Sequence, residues 1–310
     1  MATDLTAALR DIVRPQLGRV EARAHAGTAV GGDVTFGIDE LAEDFLVEYL
    51  NQNKANVAVY SEDQGLIRFG EPEYVLIIDP VDGTRPAAAG LECAMVSIAV
   101  AEYRDSPIMG DVIFGCVQEI KNGDLFTARR GGGVRITTAA GEPIPVELSR
   151  NTELSRLFWT IGFRGRPARA LIETLGDLVD ISSVDGAVFD LGSATFSITR
   201  ILTGQLDAYI DIGPRMIDEV PAVIPLFEEV GKGAILNNSP HDLAAAALIC
   251  SEAGAVIGDG RGEPLGDRPL LGSDRSFQMA CVASASRELQ ESILGAVDAG
   301  MEKLRASLER

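Results

Sequence analysis

The chain has 310 residues, 46% hydrophobic and 24% charged, which is enough apolar material for a buried core and argues against extensive disorder. Its formal net charge of −19 repels polyphosphate backbones, so no nucleic-acid partner is expected. No apolar run is long enough to span a bilayer, and the N-terminal segment is charged throughout without an apolar signal core; with four cysteines that form no C-x-x-C pair and sit in apolar stretches, this predicts a cytoplasmic chain with buried free thiols and no membrane partner.

Leu5, Leu9, Ile12 and Val13 stand at helical spacing and predict an amphipathic helix from residue 3 to about 26, kinked or ended in its first part at Pro15. A Gly-rich segment, 27–37, follows. Asp39 then opens a second helix as its N-cap or first-turn carboxylate, with Leu41, Phe45 and Leu50 on one face. Short apolar runs at 57–60, 74–78, 94–101, 112–117, 125–128 and 134–137, separated by turns such as Lys121-Asn-Gly-Asp124, predict a mostly antiparallel sheet behind two helices. After about residue 150 the texture changes. Helical patterns at 168–179, 193–202 and 243–253 alternate with strands at 158–161, 207–212, 255–257 and 279–282, and a terminal helix fills 286–308. Gly258-Asp-Gly260 reads as a hairpin turn, and Gly131-Gly-Gly133 lacks the Lys-Ser/Thr of a phosphate-binding P-loop. The expected organisation is one α/β (α+β) unit over 1–310, with an N-terminal half of about 1–150 and a C-terminal half of about 151–310.

The most informative string is Leu76-Ile-Ile-Asp79-Pro80-Val81-Asp82-Gly83-Thr84. Two carboxylates leave the end of a buried strand, Pro80 stiffens the exit, and Gly83 permits a tight turn. Backbone N–H groups at a helix start beyond Thr84 are suited to phosphate oxygens. Carboxylates three residues apart on a rigid turn suit hard cations such as Mg²⁺. The spacing differs from the D-x-D-G-T pattern of hydrolases that form an aspartyl phosphate and argues against a covalent aspartate. Two further acidic elements accompany it: Ser61-Glu62-Asp63 after a short strand, and Asp242 at the head of an Ala-rich helix that Gly254 caps. Taken singly, each reads as a solvated turn or a helix cap.

Together these segments resemble the inositol monophosphatase family of the fructose-1,6-bisphosphatase-like superfamily: Ser61-Glu62-Asp63, the D-P-[IVL]-D-G-T string at 79–84, Gly192-Ser193-Ala194 followed by Gly204-Gln-Leu-Asp-Ala-Tyr209, and Asp242-Leu-Ala-Ala245 through Ala253-Gly254-Ala255, in the family's order over nearly the whole chain. The resemblance implies a layered α-β-α-β-α sandwich and a phosphatase holding two or three Mg²⁺, with Mn²⁺ possible. Glu62, Asp79 and the Val81 carbonyl would bind the first ion, and Asp79, Asp82 and Asp242 the second. Asp39 would pair with Thr84 to orient or deprotonate water, and the Gly83 and Thr84 amides would cradle the phosphate. Ser193, Ala194, Asp211 and Arg85 would face the substrate, a small phosphorylated metabolite, and the protein would be a homodimer.

The departures from the family pattern matter for the substrate. Arg85-Pro86 follows the motif, so Arg85 either contacts a phosphate or pairs with a nearby acid. Asp211 stands where inositol-cleaving relatives use Glu to accept a substrate hydroxyl. His241 replaces the usual Trp and reads as packing. The stretch 213–240 is longer than in animal-type members and is open to three readings: a lid or substrate wall, an inert elaboration, or an oligomer contact. Inositol or polyol phosphates, fructose 1,6-bisphosphate (with Arg85, Arg164 or Arg215 on its second phosphate) and adenosine 3′,5′-bisphosphate are the candidate substrates. A regulatory or binding member without relevant catalysis is the alternative of another class.

Overall fold

The computed structural model describes residues 1–309. Helix α1 (Ala2–Val13) ends where Pro15 withdraws an N–H, so of the two readings at that residue the proline ends the first part, and the stretch on to about residue 26 does not continue as α-helix. The Gly-rich segment is not a plain loop. It forms a small antiparallel hairpin of β1 (His25–Thr28) and β2 (Val34–Phe36), which leads directly into α2 (Gly37–Gln52).

The large sheet takes β3 (Val57–Ser61), β4 (Gly65–Phe69), β5 (Tyr74–Asp82), β6 (Met95–Glu102), β7 (Val112–Glu119), β8 (Leu125–Arg129), β9 (Val134–Thr137) and β10 (Pro143–Ile144), with the short helix α3 (Thr84–Ala89) leaving β5. Its order is β10-β9-β8-β7-β6-β5-β3-β4, antiparallel except for the parallel pair β3–β5. Strand β4 was not expected from the sequence. The smaller sheet runs β12-β11-β13-β15-β14, built from β11 (Phe158–Ile161), β12 (Ala187–Phe189), β13 (Ala208–Asp211), β14 (Val256–Gly258) and β15 (Cys281–Ser284). Strands β12, β11 and β13 are parallel, while β15 is antiparallel to β13 and β14. The Gly258 turn therefore does not close a hairpin: β14 pairs with a strand that begins at residue 281. Helices α4 (Ala168–Ile181), α5 (Ala194–Leu202), α6 (Gly213–Glu219), α7 (Ile224–Val230), α8 (Pro240–Glu252) and α9 (Arg287–Leu308) complete the chain.

Alternation along the strands sorts the core into layers. Leu76 and Ile78 of β5 join α1 and α2 on one face of the large sheet, while Val75 and Ile77 face α5 and α8 on the other. Helices α5 and α8 also pack on β13 and β14, and α9 covers β15 with α4 against it. The stack is α1/α2, large sheet, α5/α8, small sheet, α4/α9, the five-layered arrangement that the family resemblance implies. Met216, Ile217, Val220, Val223 and Phe227 lie buried in the outer core, so most of the 213–240 stretch is packed scaffold rather than a free lid.

Candidate metal centre and phosphate cleft

Strand β5 positions the first two carboxylates through an irregularity. Residues three apart on an unbroken strand point to opposite faces. Here Asp79 stands opposite Ser97 and Asp82 opposite Met95, so three steps on β5 match two on β6. This bulge at Pro80–Val81, where proline has no N–H to leave unpaired, brings both carboxylates to one side. Glu62 follows the end of β3, the parallel neighbour of β5. From the other half, α8 supplies Asp242 in its first turn, where one carboxylate oxygen accepts the Ser239 amide at 2.6 Å. Asp79, Asp82 and Asp242 each offer an oxygen within 4.8 Å of the others.

The hydrogen bonds leave these oxygens unequal. Asp79 Oδ1 accepts the Val81 amide at 3.0 Å. Asp82 Oδ2 takes the Ser193 hydroxyl at 2.6 Å, the Thr195 amide at 2.7 Å and the Thr195 hydroxyl. In each of the three carboxylates one oxygen is fixed, while the other receives no hydrogen bond among the described residues. Burial and then mutual repulsion raise the pKa values of Asp82, Asp79 and Glu62. Asp82 is pushed up to about 6 by burial and by Asp242, against the pull of the Ser193 and Thr195 donors. Asp79 rises by burial and by Glu62, Asp82 and Asp242, and Glu62 by desolvation and then by Asp242 and Asp39. The set fits a divalent cation: all donors are oxygen, one oxygen per carboxylate is free, and the group lacks only positive charge.

A cleft of about 360 Å³ opens over this cluster. It is lined by eleven of the twelve residues expected at the site: Glu62, Asp79, Val81, Asp82, Gly83, Thr84, Arg85, Ser193, Ala194, Asp211 and Asp242. Its walls carry seven carboxylates against three guanidiniums, an excess of four acidic groups, so the fully ionised cleft would repel a phosphate unless cations entered with it. Asp39 lies one step behind, in a small space shared with Glu43, Glu62, Asp63 and Asp79. It accepts the Phe36 amide at 2.9 Å, and burial lifts its pKa to about 7 despite that bond and the nearby Thr84 hydroxyl. Thr84 Oγ1 also donates to the Val81 carbonyl at 3.2 Å. Gly83 starts α3 at φ 90°, where a Cβ would come within 2.5 Å of the Cys93 carbonyl oxygen.

Several expectations change on contact with the geometry. Asp211, placed at the substrate hydroxyl, is 1% exposed and paired with Arg166, itself 5% exposed; its charge is already met inside the wall. Ser193 caps α5 and donates its hydroxyl to Asp82, so its side chain is turned to the carboxylate. Arg215 is buried among Glu219, Asp298 and the Gly260 carbonyl and does not line the cleft. Arg85 pairs with Asp33 at 3.3 Å. Cys93 is only partly buried and lines the cleft; the other three cysteines are buried and all four are free. His241 is buried as expected, with a pKa lowered by burial, and its Nε2 is 3.5 Å from Asp242.

Sequence reasoning missed Asp33, Glu43, Arg166 and Thr195. Glu43 accepts from the Ser61 hydroxyl at 2.9 Å and the Asp63 amide at 3.3 Å, and so holds both neighbours of Glu62. It sits four residues after Asp39 on one face of α2, a spacing that marks it in the sequence. Arg166 follows β11, at the carboxyl ends of parallel strands where open α/β sheets bind ligands.

The sequence model of the inositol monophosphatase family matches residues 1–302. Among curated proteins, a fructose-1,6-bisphosphatase/inositol-1-monophosphatase of Methanothermobacter thermautotrophicus is 26% identical, covering 91% of this chain and 90% of that protein. The Nus factor SuhB of Vibrio cholerae is 26% identical over 73% of this chain and 72% of that protein. Among solved structures, an inositol monophosphatase–fructose 1,6-bisphosphatase superposes with a TM-score of 0.70 at 22% identity, covering 95% and 97% of the two chains.

Proposed function

The chain belongs to the inositol monophosphatase family, and from that premise we propose that it is a Mg²⁺-dependent phosphomonoesterase acting on a small sugar or polyol phosphate. The observation that carries this reading is the meeting of Asp79, Asp82 and Asp242, from opposite halves, with oxygens within 4.8 Å at the floor of the cleft. Glu62, Asp79 and the Val81 carbonyl would hold one cation, and Asp79, Asp82 and Asp242 another. Mn²⁺ would serve in place of Mg²⁺, because the donors are all hard oxygens. Such cations, when bound, neutralise phosphate charge and make water acidic enough to attack at neutral pH.

The chain's own groups then divide the remaining work. The Gly83 and Thr84 amides orient the phosphate at the start of α3. Thr84 Oγ1 accepts the proton of the attacking water while its own hydroxyl proton passes to the Asp39 carboxylate behind it. Ala194 faces the substrate's organic part and Arg85 its charged groups, and the Arg166–Asp211 pair stiffens the wall. No helix among the described residues is long and apolar enough to cross a membrane. With that and four free cysteines, we place the protein in the reducing cytoplasm, as a single functional unit that forms a homodimer.

The names of the relatives leave fructose 1,6-bisphosphate as the second substrate reading, with adenosine 3′,5′-bisphosphate behind it. The relative named a Nus factor supports the reading of another class, a member that acts by binding a macromolecule. Phosphate release with Mg²⁺ from inositol 1-phosphate, fructose 1,6-bisphosphate, adenosine 3′,5′-bisphosphate and glycerol 2-phosphate separates these. The expected result is release from at least one ester, reduced at least about 100-fold in Asp82→Asn. Release from none, or release unaffected by Asp82→Asn, would sink the metal-assisted reading.

A further inference from the structure

The three guanidiniums of the cleft are not held alike. Arg166 is buried with Asp211 and fully committed. Arg85 and Arg164 keep side-chain exposures of 41% and 39%, and both reach the same carboxylate, Asp33, whose side chain is 12% exposed. Asp33 Oδ1 accepts from Arg85 Nη2 at 3.3 Å and Oδ2 accepts from Arg164 Nη1. Arg85 lies in the first turn of α3 beside Thr84, with its guanidinium over the Phe36 ring at 5.3 Å. Arg164 follows β11 in the other half of the chain and also lines the cleft. Asp33 thus bridges two cations from opposite walls.

Asp33 is itself buried, but the hairpin that carries it is only partly so. Strand β1 is exposed along its whole length. The hairpin is held by the Thr35 hydroxyl on Asp63 at 2.6 Å and by close approach of Gly31 to Ser273 and Gly32 to Ala234. One carboxylate against two guanidiniums leaves this cluster one positive charge in excess. A phosphate or carboxylate on a ligand brings equal or greater charge and offers both arginines paired acceptor oxygens.

We propose that Arg85 and Arg164 form a second anion subsite, separate from the Gly83–Thr84 phosphate cradle, and that Asp33 is its built-in occupant, displaced by a second anionic group on the substrate. The inference rests on the phosphatase reading and narrows it: the preferred substrate is a phosphomonoester bearing another phosphate or carboxylate. Asp33 then sets selectivity, because a ligand with one anionic group gains nothing from displacing it.

The test is the ratio of kcat/KM for a sugar bisphosphate to that for the matching monophosphate, in wild type, Asp33→Asn and Arg164→Met. Asp33→Asn keeps an acceptor for the Val34 amide, now made at 2.7 Å, and a thermal melt confirms that each variant folds. The ratio is expected to rise at least threefold in Asp33→Asn and to fall at least tenfold in Arg164→Met, mainly through KM. An unchanged ratio in both folded variants overturns the subsite. If no ester turns over in wild type, the phosphatase reading has failed by itself, and the subsite is read by calorimetry with inorganic phosphate on metal-free protein, where the acidic floor repels the probe. Tighter binding by Asp33→Asn and weaker binding by Arg164→Met would then sustain it; equal binding by all three proteins would overturn it.

Discussion

Asp82 shows how far single side chains have been specialised. Three donors converge on one of its oxygens, two of them from Thr195. They oppose the burial and the repulsion from Asp242 that raise its pKa, and they fix the carboxylate's orientation. Thr195→Val keeps the shape and the backbone donor and removes only the hydroxyl. Mg²⁺ affinity measured by calorimetry is expected to fall about tenfold, with Thr195→Ser restoring it. A Thr195→Val protein that binds Mg²⁺ like wild type would mean that the hydroxyl only fills space. The sequence reveals Asp82 because a carboxylate at the end of an apolar string is conspicuous. It conceals Thr195, 113 residues further on, because a threonine inside an apolar helix reads as core until the fold brings it to Asp82. Arg166 is hidden in the same way: its partner Asp211 is 45 residues away, and only the fold shows that the charge of Asp211 is met by a guanidinium.

At the scale of elements, the site depends on how β5 ends and α3 begins. The bulge at Pro80–Val81 turns two opposed carboxylates to one side, and Gly83 then reverses the chain at φ 90°. A methyl at Gly83 would meet the Cys93 carbonyl oxygen at 2.5 Å and the Ser193 Cβ at 3.0 Å. Gly83→Ala is therefore expected to destabilise the fold by about 1–3 kcal/mol in urea unfolding and to abolish activity, because the strained turn also carries the phosphate cradle. A variant of wild-type stability would show that the turn relaxes easily. This turn was legible from Asp-Pro and Asp-Gly, as were the ends of α8, where Asp242 bonds the Ser239 amide and Gly254 follows at φ 83°. The hairpin β1–β2 and strand β4 were not, because β1 is wholly exposed and only Gly65 of β4 is buried, and neither shows a clear two-residue hydrophobic period. At Pro15 the sequence offered a kink or an end, and apolar spacing alone does not choose between them; α1 ends there.

The whole molecule gathers acid at one point between its two sheets, and this makes its stability depend on protons and cations together. Asp39 and Glu43 are lifted to about 7 and Asp82 to about 6, from ordinary values of 3.8, 4.5 and 3.8, in each case chiefly by burial. Glu62 and Asp79 move the same way. Between about pH 4 and 7 the folded metal-free protein therefore holds protons that the unfolded chain has released. Stability contributed by these groups is present at the acid end of that window and lost as pH rises through the folded pKa values, at up to about 1.4 kcal/mol per proton per pH unit. Two groups run oppositely: Asp33, lowered by Arg164 and Arg85 against the effect of burial, titrates below this window, and His241, lowered by burial, acts within it as one group against the five carboxylates. The net charge of −19 adds repulsion of the same sign as the site, and about 0.5 M salt screens most of that surface part. In EDTA and high salt, the melting temperature is expected to fall from pH 5.5 to pH 8. Mg²⁺, which replaces protons among the same carboxylates, is expected to raise it at least twice as far at pH 8 as at pH 5.5, and Asp82→Asn to shrink both effects. A metal-free melting temperature that stays flat or rises over this range, or a Mg²⁺ effect larger at pH 5.5, would mean that the cluster is not the protein's cation site, whatever the fold resembles.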